Sequence, residues 1–410
     1  MKEVLFISSN PPLDNGSGLE KRCYSHLSAL TSSCKVHLIL IGRPGQERPP
    51  ASVESLTEIS SFTFIKVPKK RENYLFQRVP GREILHEIFS PCYPALLHME
   101  ETDRYLRPMM SKLGKFNVLV FRLQNYWLYK AITEMGFSAE SSCLDWDDIE
   151  SKALQRNVDV NKNSLGYQMS LALKLQARKL RKLEERTLDF FHKVFLCSEK
   201  DTADMNALYQ TKQFITIPNS FDFSRISENY DAASATDVIN ILFVGSMYYA
   251  PNAHGSEWFC REVLPKITRQ TDKSIEVWLV GYKPTNRVKA LAEINNVNVT
   301  GSVDSVQLYY QNATFTIAPI HHGGGTRIKI LESAAAHRAV VSTTVGAEGL
   351  AFTPEKEILI ADSPDHFAEQ CLKLIASPQK CKSLSQNAYE TGKKLYDAGV
   401  ISQTLRREVV

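Results

Sequence analysis

Gly323-Gly324-Gly325-Thr326-Arg327-Ile328-Lys329-Ile330-Leu331-Glu332-Ser333-Ala334-Ala335-Ala336 stands between two short apolar runs, 314–319 and 339–344. Both runs read as buried strands, so the three glycines fall where a strand turns into a helix. The first N–H groups of such a helix lack partners within it, and its dipole makes that end partly positive. Glycines let a ligand approach the backbone closely. Arg327 and Lys329 add two full positive charges, and Glu332 lies one turn further on, within reach of hydroxyl groups. Ile328, Leu331 and Ala335 recur at helical spacing and can face a core. The pattern is that of a seat for a diphosphate carried on a polyhydroxylated group. The plainer alternative is a glycine loop, an amphipathic helix and a Lys329–Glu332 surface pair.

Working outward, the stretch belongs to a run of alternating strands and helices. Strands are expected at 239–245, 275–281, 297–301, 314–319, 339–344 and 357–361, with helices between them and two terminal helices at about 364–376 and 378–397. Residues 223–237 are polar and read as a linker. Before them lies a second such series, with strands at 4–8, 35–41, 60–67, 117–122, 142–147, 194–198 and 214–217. Alternation of this kind describes parallel α/β sheets. Two successive Rossmann-like halves are expected to face each other across a ligand cleft.

The first half is poorer in signals. Gly16-Ser17-Gly18 follows the opening strand but lacks the third glycine of a dinucleotide fingerprint, and Ile41-Gly42-Arg43 offers no acidic residue for a ribose. Gly16 and Gly18 are therefore read as backbone donors to an acceptor or phosphate, with a plain turn as the alternative. Arg122, Gln124 and Asn125 stand at the end of another strand. Asp145-Trp146-Asp147-Asp148 crowds carboxylates at a strand end, where they repel one another unless a cation or a hydroxyl lies among them. A basic segment, 68–82, with Tyr74 and Phe76 interleaved, suits a solvated loop or an anionic membrane surface. The helix expected at 164–191 carries Lys174, Arg178, Lys179, Arg181 and Lys182 around a leucine stripe, the usual look of a solvated face.

Composition bounds the function. The 410 residues suffice for two or three domains at roughly 100–200 residues each. A net charge of +4 gives no argument for nucleic acid. The eight cysteines form no CxxC pair and read as reduced core residues, which fits a cytoplasmic chain; the N-terminus lacks a signal-peptide pattern, and no apolar run is long enough to span a membrane.

The second half resembles a retaining glycosyltransferase of the GT-B fold, within glycosyltransferase family 4. The resemblance rests on Phe243–Ser246, Trp278–Gly281, Val299–Gly301, Gly323–Glu332, Val340–Gly346 and Glu348–Leu350 in that order. In the first half it is carried more thinly, by the opening strand with its glycine loop, Leu144–Asp148, Cys197–Glu199 and Pro218–Asp222. The resemblance implies an acceptor-binding domain at 1–222, a linker at 223–238 and a nucleotide-sugar domain at 239–388. A final helix at 389–410 is expected to pack back on the first domain. It implies transfer of a sugar from a nucleotide sugar to a glycan, a lipid-linked or a small-molecule acceptor, as in polysaccharide biosynthesis. The nucleotide sugar is a co-substrate, and no cofactor is expected. An epimerase of the same fold and a non-catalytic nucleotide-binding member are the alternatives.

Residue by residue, Glu332 matches the second glutamate of the family's Glu-x7-Glu motif, which holds the ribose. The first glutamate is replaced by Gly324. The cations that usually follow the first strand of this domain are missing from Ser246–Asn252, so Arg327 and Lys329 are expected to neutralise the diphosphate. Gly245, Ser246, Gly281, Gly323, Gly325 and Thr326 complete the expected donor site. The family's His-Asp pair falls on Asp147-Asp148, without its histidine, leaving Asp145 and Asp147 to orient the acceptor or take its proton. Gly16, Gly18, Arg122 and Asn125 are the expected acceptor contacts. Asp145-Trp146-Asp147 spells a metal-binding Asp-x-Asp in the wrong half, and no metal is expected; His321-His322 reads as cleft lining.

Overall fold

The computed structural model describes residues 1–54, 56–67, 106–160, 166–210, 212–225 and 238–410. The basic segment 68–82 and most of the expected linker lie outside them. By contacts the chain divides into two units, Met1–Pro218 with Ile401–Val410, and Asn219–Val400.

The first unit is built on seven parallel strands: β1 (Glu3–Ser8), β2 (Lys35–Pro44), β3 (Ser61–Val67), β4 (Phe116–Phe121), β5 (Ser141–Asp147), β6 (Lys193–Leu196) and β7 (Gln213–Thr216). They lie in the order β3-β2-β1-β4-β5-β6-β7. The inner strands β1 and β4 are largely apolar on both faces, as a sheet covered on both sides requires. Val4, Phe6, Leu38, Leu40 and Leu119 enter one core and Leu5, Ile7, Ile39, Ile41 and Val118 the other, the alternation that the pleat imposes.

The second unit repeats the scheme with β8 (Val238–Val244), β9 (Ser274–Val280), β10 (Val297–Gly301), β11 (Phe315–Ala318), β12 (Val340–Ser342) and β13 (Leu359–Ile360). Their order is β10-β9-β8-β11-β12-β13, all parallel. In each sheet the winding direction reverses beside the first strand, between β1 and β4 and between β8 and β11. The crevice outside the carboxyl ends of strands at such a reversal is where ligands bind in open α/β sheets.

Three details differ from the sequence reading. The helix expected through 270 is α-helical over Ala250–Trp258, widens into a π turn over Phe259–Val263 and resumes at Leu264–Thr268. Pro265 accounts for this: it has no N–H to donate and its ring crowds the carbonyl four residues back. The contact units divide at 218 and 400, beside the domain edges at 222 and 389 read from the sequence. Asn219 donates its side-chain amide to Thr326 Oγ1 at 2.8 Å, and Phe223 packs edge-on against Tyr389, which binds both flanks to the second sheet. The long basic helix is Tyr167–Thr187, continued by a 3-10 turn over Leu188–Phe190.

Candidate functional site

At the carboxyl edge of the second unit's sheet, β8 and β9 both end in glycine. Gly245 N donates to Val280 O at 3.0 Å, and Gly281 N donates to Gly301 O at 3.1 Å. A Cβ on Gly281, whose φ is 151°, would lie 1.8 Å from Gly245 O, so only glycine lets these strand ends close. A Cβ on Gly245 would stand 2.9 Å from Lys329 Nζ. That contact places the lysine against the end of β8, from a helix 77 residues beyond Asn252, its hydrogen-bond partner.

The helix Ile328–Ala335 begins after Arg327, which is extended (φ −91°) and offers no side-chain cap. Gly323 and Gly325 turn the chain into it with φ of 107° and 70°. Arg327 Nη1 donates to the carbonyls of Gly324 and, at 2.6 Å, Gly325, so the guanidinium holds its own loop. Lys329 Nζ donates to Asn252 Oδ1 at 2.7 Å and sits 4.2 Å from the centroid of the Phe243 ring. Asn252 Nδ2 donates to Ser246 O at 2.9 Å, and Thr326 is held by Asn219. Among the described residues neither Arg327 nor Lys329 is within ion-pair distance of a carboxylate. Burial, and then the Arg327 charge, push the Lys329 ammonium down to about 7, with Glu332 pulling the other way.

Glu332 is buried and accepts a hydrogen bond from Tyr310 Oη at 2.9 Å. His321 and His322 face His254, with ring centroids 5.8 and 5.4 Å apart. Burial and the neighbouring His254 lower the pKa of His321, and burial, His254, His321 and Arg327 lower that of His322 to about 4. Asn252, Tyr310 and His254 were not singled out in the sequence. Their signal was weak, because each lies on a different element from the residue it serves.

In the first unit, β4 and β5 end side by side in left-handed residues, Arg122 (φ 73°) and Asp147 (φ 62°). Non-glycine residues in this region cost roughly 1–3 kcal/mol each and cluster at functional sites. Arg122 Nη1 donates to Asp147 Oδ2 at 3.3 Å, and its Nη2 to Glu150 Oε1. Asp147 keeps its side chain 11% exposed.

Asp145, the other expected catalytic carboxylate, is placed differently. It is 0% exposed, and Arg22 binds it with two bonds of 2.9 Å, from Nε and Nη2. His26 Nε2 lies 2.7 Å away. Burial alone would raise the Asp145 pKa, but Arg22 and His26 outweigh it and hold the carboxyl well below the usual range. A carboxylate so placed serves Arg22 as its buried counter-ion. Two of the expected acceptor contacts, Gly16 and Asn125, make local hydrogen bonds. Gly16 N donates to Leu13 O at 3.3 Å, and a Cβ there would lie 2.7 Å from Glu20, so the glycine serves a turn. Asn125 is buried and donates its side-chain amide to Phe121 O at 2.5 Å, tying off β4. Gly18 opens the helix Gly18–Thr31 at the surface.

Residues 239–377 match the family model described as Glycosyl transferases group 1. A curated protein of Klebsiella pneumoniae, described as an uncharacterized 44.6 kDa protein in the cps region, is 23% identical over 177 residues. That match spans 41% of this chain and 45% of the relative, so less than half of the relative's length is covered. Among solved structures, sucrose-phosphate synthase from Thermosynechococcus elongatus is similar with a TM-score of 0.68 at 15% identity, over 99% of this chain and 98% of that one. WaaG, a glycosyltransferase involved in lipopolysaccharide biosynthesis, gives 0.62 at 14% identity over 99% of both. HepE from Anabaena, solved in complex with UDP and glucose, gives 0.60 at 12% identity over 99% of both. The two sheets are thus the two Rossmann-like domains of the GT-B fold. No helix among the described residues is long and apolar enough to cross a membrane.

Proposed function

We propose that this chain, whose second unit is a group 1 glycosyl transferase domain, moves a sugar from a nucleotide-sugar donor to a glycan or lipid-linked acceptor, with retention of configuration in the manner of glycosyltransferase family 4. The observation that carries the proposal is the pair of cations, Arg327 and Lys329, at the start of Ile328–Ala335 with no carboxylate within ion-pair distance among the described residues, and with the pull of Glu332 on Lys329 outweighed by burial and the Arg327 charge. Buried or half-buried positive charge without a counter-ion is costly, and a diphosphate supplies the missing negative charge. The glycine ends of β8 and β9 keep side chains away from the same place. In the reaction, charge on the departing diphosphate is stabilised by Lys329, Arg327 and the helix end. Glu332 holds the ribose. Asp147, supported by Arg122, orients the acceptor hydroxyl, while the departing phosphate takes the proton. The genomic label of the Klebsiella relative and the named process of WaaG favour a surface polysaccharide as product.

Titration calorimetry with UDP and GDP tests the donor site. One of them should bind, and Lys329→Ala should weaken it by about tenfold or more, since a charge-assisted contact contributes roughly 1.5–3 kcal/mol. Unchanged affinity in both Lys329→Ala and Arg327→Ala overturns the assignment. Release of the nucleoside diphosphate from a panel of nucleotide sugars then tells transfer or hydrolysis from epimerisation, in which the sugar stays attached, and from binding without turnover.

A further inference from the structure

Tyr310 lies on the short helix Gln307–Asn312, between β10 and β11, and is 3% exposed. Its hydroxyl donates to Glu332 Oε2 at 2.9 Å across the gap between that helix and Ile328–Ala335. The tyrosine is itself fixed from behind: Arg338, 1% exposed, donates through Nε to Tyr310 O at 2.8 Å and through Nη2 to Gln311 O at 2.8 Å. Arg338 thus pins the backbone that carries Tyr310, and the Tyr310 hydroxyl in turn holds the Glu332 carboxylate. A glutamate has three rotatable bonds, and a buried one held by a fixed donor loses much of that freedom before any ligand arrives. Nothing in packing alone asks for a phenolic hydroxyl here, because phenylalanine would fill the same volume among Leu331, Ala335 and Val340.

We infer that Tyr310 is a positioning residue for nucleotide recognition: it orients the Glu332 carboxylate so that it accepts from a ribose 2′-hydroxyl, and so makes the site selective for ribonucleotides. The inference rests on the donor reading given above and adds to it the residue that sets sugar selectivity in the nucleotide. A buried carboxylate left without its hydroxyl partner is penalised, so the deoxy analogue is rejected rather than merely bound less well. Loosening the carboxylate weakens that rejection while leaving the diphosphate contacts at Arg327 and Lys329 in place.

The experiment compares UDP with 2′-deoxy-UDP, and GDP with 2′-deoxy-GDP, on the full chain by calorimetry. The unmodified chain should prefer the ribonucleotide of the tighter pair by about tenfold or more. Tyr310→Phe should retain binding of the deoxynucleotide within about twofold and reduce the ribonucleotide preference by at least about threefold. Glu332→Gln should reduce it further, and adding Tyr310→Phe to Glu332→Gln should change the preference no more, since both act through one contact. Thr316→Val, which removes a neighbouring buried hydroxyl bonded to Ser333 at 2.8 Å, should keep the full preference. If nucleoside diphosphates do not bind at all, the donor reading fails. If they bind with equal preference in the unmodified chain and in Tyr310→Phe at equal melting temperature, or if Thr316→Val lowers the preference as much, the positioning role is overturned.

Discussion

Lys329 is the residue at which the electrostatics can be read most directly. In the folded chain its ammonium is lowered from 10.5 to about 7, first by burial and then by Arg327. The unfolded chain consequently holds more protons than the folded one between those two values, and this site makes folding stability rise with pH across that window. A bound diphosphate acts in the opposite sense. Its negative charge favours the ammonium and raises the lysine toward its ordinary value, so binding above pH 7 draws a proton from solution. At pH 8 nucleoside diphosphate binding should take up nearly one proton, and affinity should fall by up to about tenfold per pH unit above 7. Calorimetry in two buffers of different ionisation enthalpy counts that proton. Lys329→Ala should abolish the uptake; proton-neutral binding in the unmodified chain at pH 8 contradicts the lysine's role.

At the scale of elements, the helix Gly18–Thr31 shows what a single sequence reveals and what it hides. Its apolar spacing through Cys23, His26, Leu27 and Leu30 marked the buried face, and the structure buries all four. Arg22 lies on that face too, but its partner Asp145 is 123 residues away, and nothing local announces the pairing. The carboxylate cluster after β5 therefore looked catalytic throughout, although one member is a buried counter-ion. Lys329 with Asn252 repeats the lesson across 77 residues. The strands were legible because continuous apolar runs between glycine-ended loops leave few alternatives. Side-chain partners were not, because pairing depends on which strand ends the sheet brings together. The pairing makes a prediction: Asp145→Asn leaves buried Arg22 with the longer pair to Asp147, at 3.5 Å, in place of its bidentate one and should cost up to about 3–5 kcal/mol of stability. Denaturant unfolding measures it. A variant of full stability that has lost only turnover would return Asp145 to the catalytic list.

At the scale of the whole molecule, the chain ends by rejoining its own beginning. The helix Ala398–Val409 starts within the second unit, yet Ile401–Val410 belongs to the first. Ile401, Leu405 and Val409, at four-residue intervals, are buried in the core that also holds Val4, Phe6, Leu119 and Phe195. Lys193 Nζ donates to Glu408 O at 2.8 Å and pairs with its carboxylate at 3.1 Å, and Arg406 Nη1 donates to Ser32 Oγ at 2.8 Å. Burying three aliphatic side chains contributes roughly 1.5–3 kcal/mol each, an upper bound because the unfolded chain already hides some of that surface. The sum is a large fraction of the 5–15 kcal/mol or so that holds a typical domain together. Removing residues 401–410 should therefore lower the melting transition of the first unit steeply, or leave it unfolded, while the second unit's transition is much less affected. Leu405→Ala, which empties one buried site and keeps the polar contacts, should cost about 2–5 kcal/mol in the same transition. Scanning calorimetry with and without saturating nucleoside diphosphate assigns the transitions, since ligand raises the one belonging to the unit that binds it. If truncation left both transitions in place, the closing helix would be an attachment to the first unit and not a part of its core.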